Sequence, residues 1–265
     1  MNIWTKRSIE LANQRDYLDQ LFKVYPMSNN LSRELPENVV AEIRNSFDSK
    51  ENEPLIRLLL QQELFPVKDS YVAYLKRDNT SISRNPQTVN RLAGAIYSMG
   101  FEDTIKQMTL PKETNRQIGP LFKNWIKSRA LGVNITSDVK YFLSTTDNIV
   151  FDASDAAMEV FARSYLGYTH EKGLDFIAKF NSKFVIGEAK FLTDFGGHQN
   201  AQLADAINTM RSSLNKTDFE VIKIAILDGV IYIPGNHKMK NTLSSSLEDE
   251  VIVSALLLRD YLYTL

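Results

Sequence analysis

Cysteine is absent from all 265 residues, which excludes disulfides, thiolate metal sites and a cysteine nucleophile, and suits a reducing compartment. No apolar run approaches a membrane span. The N-terminal MNIWTKRSIELANQRDYLDQLF holds none of signal-peptide length, so a cytoplasmic protein without a membrane partner is expected. Charge of either sign is nearly balanced, with a net −1, so the whole chain gives no electrostatic sign of nucleic acid. Histidine is scarce, and His170, His198 and His237 stand too far apart for a zinc site by spacing. No serine nucleophile motif or ATP motif is present. The Gly196-Gly197 pair lacks the lysine and Ser/Thr of a phosphate loop, so no nucleotide cofactor is expected. Internal repeats and low-complexity tracts are missing as well.

What is present is an ordinary globular composition, 43% hydrophobic and 24% charged, long enough for one large domain or two small ones. Charge is uneven along it. Between Lys106 and Lys140, the residues Lys106, Lys112, Arg116, Lys123, Lys127, Arg129 and Lys140 face only Glu113 and Asp138. That local excess, with Trp125 in its middle, could supply phosphate contacts through Lys123, Lys127 and Arg129; a solvated helix face explains it as well.

Residues 1 to 130 read mainly as helices: LANQRDYLDQLFKVY, LPENVVAEIRNSF, EPLIRLLLQQELF, then NPQTVNRLAGAIYSMG with Asn85 as cap, Pro86 at its first position and Gly100 at its exit. QIGPLFKNWIKSRALG repeats the pattern with an interruption at Pro120. From about residue 139 the pattern changes. VKYFLSTTDNIVFDA could hold a short strand, and SDAAMEVFARSYLGY reads as a helix capped by Ser154. Two apolar runs, Leu174 to Phe180 and Phe184 to Phe191, meet at Asn181, Ser182 and Lys183 as a hairpin. A helix over GGHQNAQLADAINTMRSSLN follows. VIKIAILDGVIYI supplies one or two strands with a turn at Asp228-Gly229, and LEDEVIVSALLLRDYLYTL closes as a helix. The fold class is therefore α/β (mixed α+β), a largely helical N-terminal lobe over 1 to 140 joined to a core over 141 to 265.

The second hairpin run carries two ions. Alternation puts Glu188 and Lys190 on one face with Phe184 and Ile186, and burying such charges costs several kcal/mol unless they pair or bind a metal. A strand-end ion pair between Glu188 or Asp175 and Lys190 is one explanation. The other uses the hairpin: Asp175 opens the first strand, so two carboxylates converge at one end of the sheet. Such a pair suits a hard cation such as Mg²⁺, and a nearby lysine suits orienting a water or offsetting phosphate charge.

The string LD-x12-EAK, with strands on both sides and an amphipathic helix after the lysine, resembles the PD-(D/E)xK nuclease superfamily. Within it the chain is similar to type II restriction endonucleases in size and in its helical lobe, and EAKFLTDFGGHQNAQLADAI is similar to the glycine loop and glutamine-bearing helix some of them carry. Leu174 stands where the family's name has proline. The resemblance implies an αβββαβ core, Mg²⁺-dependent cleavage of double-stranded DNA at a short sequence, and a homodimer. It implies that Asp175 and Glu188 are metal ligands with the backbone carbonyl of Ala189, and that Lys190 orients the water. Glu159 on the preceding helix would add a carboxylate, or else pair with Arg163 four residues on. His198, Gln199 and Gln202 would lie near DNA; Gln199 and Gln202 could instead support the lysine or form a polar first turn. A repair nuclease of the same core, and a non-catalytic DNA-binding protein using the same residues as an ion-pair cluster, are the competing readings.

Overall fold

The computed structural model describes residues 1–26, 34–111, 118–245, 247 and 250–265. The chain forms two compact units, Met1–Met27 with Thr114–Leu265, and Ser28–Glu113. Lys112, Glu113 and Arg116 of the basic stretch lie outside the described residues.

In the first unit, helices α1 (Ile3–Ala12) and α2 (Tyr17–Leu21) open the chain. The single helix expected over residues 11 to 25 is broken, because Asp16 takes a left-handed φ of 66° and the side chain of Asn13 donates back to the Ile9 carbonyl at 2.7 Å. The second unit is helical: α3 (Glu37–Asp48), α4 (Asn52–Gln61), α5 (Ser70–Arg77), α6 (Ser81–Arg84), α7 (Pro86–Met99) and α8 (Phe101–Met108). Their apolar stripes close around the wholly buried Ile43, Leu55, Ile56, Leu59, Leu92 and Ile96. As expected, α7 starts at Pro86 after Asn85 and ends at Gly100, whose φ of 86° suits glycine.

The chain then returns to the first unit through α9 (Ile118–Lys127), whose Pro120 sits in the first turn, where a missing N–H costs nothing. A six-stranded sheet follows: β1 (Asn134–Thr136), β2 (Ile149–Phe151), β3 (Phe176–Phe180), β4 (Lys183–Leu192), β5 (Val221–Gly229) and β6 (Val251–Val253), in that spatial order. β2, β3 and β4 run antiparallel in succession; β1 is parallel to β2, and β5 and β6 are parallel to β4. Helices α10 (Val139–Ser144) and α11 (Asp155–Tyr165) flank β2, α12 (Gly197–Arg211) crosses from β4 to β5, and α13 (Lys238–Ser245) and α14 (Ala255–Tyr263) surround β6.

Two sequence expectations are corrected here. Asp228-Gly229 is not a turn between strands but the end of one continuous strand, β5. The closing segment is a short strand and then a helix. The sheet unit also reaches further than a boundary at residue 140 allots. Trp4, Tyr17, Leu21, Phe122 and Ile126 share one core with Ala178, Val185 and Ile224, because α1, α2 and α9 need the sheet to cover their apolar sides.

Candidate active site

The β3–β4 hairpin turns on Asn181 and Ser182, both left-handed at φ 50° and 70°, which matches a two-residue turn and fixes the register. Phe176 pairs with Gly187, so continuing one step puts Asp175 across from Glu188. The Asp175 N–H donates to the Gly187 carbonyl at 3.2 Å, and its Oδ2 accepts from the Ala189 N–H at 3.0 Å. Phe184 and Ile186, on the face of Glu188, pack into a core under α10 and α11 with Phe142 and Phe161. Val185 and Ala189 join the opposite core. Alternation therefore carries Glu188 into a region where only 1% of it is exposed.

Lys190 joins the two acids, its Nζ donating to Asp175 Oδ2 at 2.7 Å and to Glu188 Oε2 at 2.6 Å. The ion pair and the converging carboxylates foreseen as competing explanations are thus present together, and distances alone do not choose between them. Electrostatics does more. Burial, then the hydrogen bond and charge of Asp175, push Glu188 up to about 7. Burial also works against ionised Asp175, but bonding with Glu188, the charge of Lys190 and the Ala189 N–H more than reverse it, leaving Asp175 low. Lys190 is held above its ordinary value, because the two carboxylates outweigh the effect of its burial. With one proton between them the two carboxylates carry a single negative charge, which the Lys190 ammonium matches.

Glu188 Oε1 is a buried oxygen with no hydrogen-bond partner. Lys172 Nζ lies 3.3 Å from it and 3.4 Å from Asp205 Oδ2, close enough to pair by charge but off the hydrogen-bond direction, so it too lacks such a partner. Sequence reasoning missed Lys172 and Asp205. Lys172 stands in a loop three residues before Asp175, where no periodicity singles it out.

A family model for the Tsp45I type II restriction enzyme matches residues 2–265. The chain belongs to that family. It is a site-specific deoxyribonuclease with DNA as its substrate, which sets aside both the non-catalytic binder and the repair nuclease. No curated protein and no solved structure matches the chain.

The other residues of this restriction enzyme singled out from sequence divide into three kinds. Lys123 and Lys127 border the same narrow cleft as Asp175, but Lys123 pairs with Asp155 and Lys127 lies 3.1 Å from Asp152, so part of their charge is already spent. Arg129, at φ 60°, is exposed just after α9. Glu159 pairs with Arg163 at 3.4 Å, the second of its two readings, and among the described residues no hydrogen bond or ion pair joins it to Asp175, Glu188 or Lys190. Gln199 needs correcting as a DNA contact. It is 1% exposed, accepting from the Thr193 N–H at 3.2 Å and donating to Thr193 Oγ1 at 3.1 Å, so it fastens the loop after the active strand. His198 is exposed and Gln202 half-buried on α12, one turn apart, their side chains 3.1 Å from each other.

Proposed function

We propose that this enzyme hydrolyses phosphodiester bonds of double-stranded DNA at a short specific sequence, using Mg²⁺ held by Asp175 and Glu188 with the backbone carbonyl of Ala189. The observation that carries the reading is Glu188 Oε1, a buried acceptor without a hydrogen bond beside a second carboxylate. Two converging carboxylates, one with a buried oxygen that no hydrogen bond satisfies, fit a hard divalent cation with oxygen ligands. Among the described residues no group of three or more Asp, Glu, His or Cys gathers, so the proposed site rests on the two carboxylates and the carbonyl alone. When bound, such a cation supplies Lewis-acid polarisation of the phosphoryl oxygen and a more acidic water.

The chain's own residues supply the rest. Asp175 is ordered by the Ala189 N–H before any ligand arrives. Lys190, held protonated between the two carboxylates, is placed as a donor to orient water and phosphate. The succession α10, the antiparallel β2–β3–β4, α12 and the parallel β5 supports an αβββαβ nuclease core, with α11 inserted between β2 and β3. Exposed His198 and Arg129 and half-buried Gln202, with Lys123 and Lys127, would meet DNA, and the helical unit would read bases or join two protomers.

Asp175→Asn and Glu188→Gln decide the reading. Plasmid cleavage in Mg²⁺ should fall by about a hundredfold or more in each. Melting temperature should hold, since Lys190 keeps the remaining acid as its partner. Cleavage at the wild-type rate by either folded variant overturns the assignment.

A further inference from the structure

We propose that Lys172 is a positioning residue that pairs with Glu188 in the metal-free enzyme and moves to Asp205 when a divalent cation binds, so that the two residues together set metal affinity. The inference rests on the reading of Glu188 as a metal ligand. Three features of the structure carry it.

Lys172 Nζ is a buried ammonium with no hydrogen-bond partner, placed between two carboxylates at nearly equal distance, 3.3 Å to Glu188 and 3.4 Å to Asp205. Neither pairing is completed, which is the geometry of a side chain with two available positions. The two acids also differ. The Glu188 side chain is 2% exposed, whereas that of Asp205 is 57% exposed on α12, where it can receive a displaced ammonium in partial contact with water. Finally, the backbone under Lys172 is fixed, and two acids lie within reach of its side chain. A Cβ on Gly173 would stand 2.8 Å from that of Asp155, and the Leu174 N–H donates to the Asp155 carbonyl at 3.3 Å. The loop is held against α11, so movement of Lys172 is confined to its side chain.

Competition follows directly. A dication at Glu188 meets the ammonium already beside Oε1, and the two positive charges repel. Removing Lys172 removes the competitor. Neutralising Asp205 removes the alternative partner and leaves Lys172 on Glu188. The two substitutions therefore shift metal affinity in opposite directions, which loss of packing alone does not do.

The test is calorimetric titration of the free full-length protein with Mn²⁺, without DNA. Lys172→Met, which keeps the stem, should tighten binding roughly fivefold, and Asp205→Asn should weaken it by a similar factor. Lys172→Arg should stay near wild type. In the Lys172→Met background Asp205→Asn should have no effect, because its influence acts through the lysine. Equal affinities for all variants, shifts of the same sign, or an Asp205→Asn effect that persists in the double variant overturn the proposal. Glu188→Gln is the control for the site itself: if it binds Mn²⁺ as wild type does, the metal reading fails, and the role of Lys172 with it.

Discussion

At Asp228 burial and hydrogen bonding pull in opposite directions. The side chain is fully buried and accepts from Ser254 Oγ at 2.5 Å, Tyr25 OH at 3.0 Å, the Ala255 N–H at 3.2 Å and Tyr17 OH at 3.3 Å. Burial prevails and pushes it up to about 7. An unfolded aspartate titrates near pH 4, so between about pH 4 and 7 the folded protein binds the extra proton. The contribution of Asp228 to stability therefore falls as pH rises through that window and is level above it. Asp228→Asn, the neutral isostere, should lose ground to wild type at pH 5 and match or exceed it at pH 8. The difference between the two pH values is bounded by about 4 kcal/mol. Urea unfolding at both pH values measures it, and Glu188, common to both proteins, cancels; a pH-independent difference contradicts the assignment. In the sequence this residue reads as half of an Asp-Gly turn, because nothing local reveals four donors arriving from α2, the turn after it and the start of α14. Asp175, Glu188 and Lys190 are legible for the opposite reason. Their placement follows from a two-residue period and one hairpin, both local. Lys172 and Asp205 come together only through the folding of a loop against α12.

The elements recovered from sequence are those with a sustained period or a long apolar run: α3, α4, α7, α9, α11, α12, the β3–β4 hairpin and β5. Of the three-residue strands, β2 lies where a short strand is expected, whereas β1 and β6 are too short for alternation to declare itself and only pairing makes them strands. Gly187 shows how tightly that pairing holds the active strand. A Cβ there would lie 2.8 Å from the Ile224 carbonyl oxygen of β5, a backbone atom that cannot move without disturbing the ladder. Gly187→Ala should therefore separate β4 from β5 between Ile186 and Glu188. The expected cost is about 1–3 kcal/mol of stability, with a fall in cleavage beyond what the residual folded fraction explains. Thermal melts paired with plasmid digestion check this. A variant as stable and active as wild type would mean that the sheet accommodates the methyl and that the spacing behind Glu188 is not critical.

At the scale of the molecule, the two units are not contiguous blocks of sequence, since Met1–Met27 belongs with the sheet and Ser28–Glu113 folds around its own core. Helical periodicity finds the helices of both but is silent on which core each one joins, so the sequence boundary falls at the change in pattern near residue 140. The same limit applies to assembly. Each chain offers one Asp175–Glu188–Lys190 set, and a duplex presents two scissile strands of opposite polarity. A two-fold symmetric dimer answers both with one set per strand and reads a palindromic or near-palindromic site. Sedimentation equilibrium should give two protomers per duplex carrying the recognition sequence. Function gives a sharper measure. Dimers made from one wild-type and one Glu188→Gln chain, purified through two different tags, should cut a single strand and leave plasmid nicked where wild type leaves it linear. If those mixed dimers linearise plasmid at the wild-type rate, or if one protomer per duplex suffices for double-strand cleavage, a single site serves both strands in turn and the dimer is not the cutting unit.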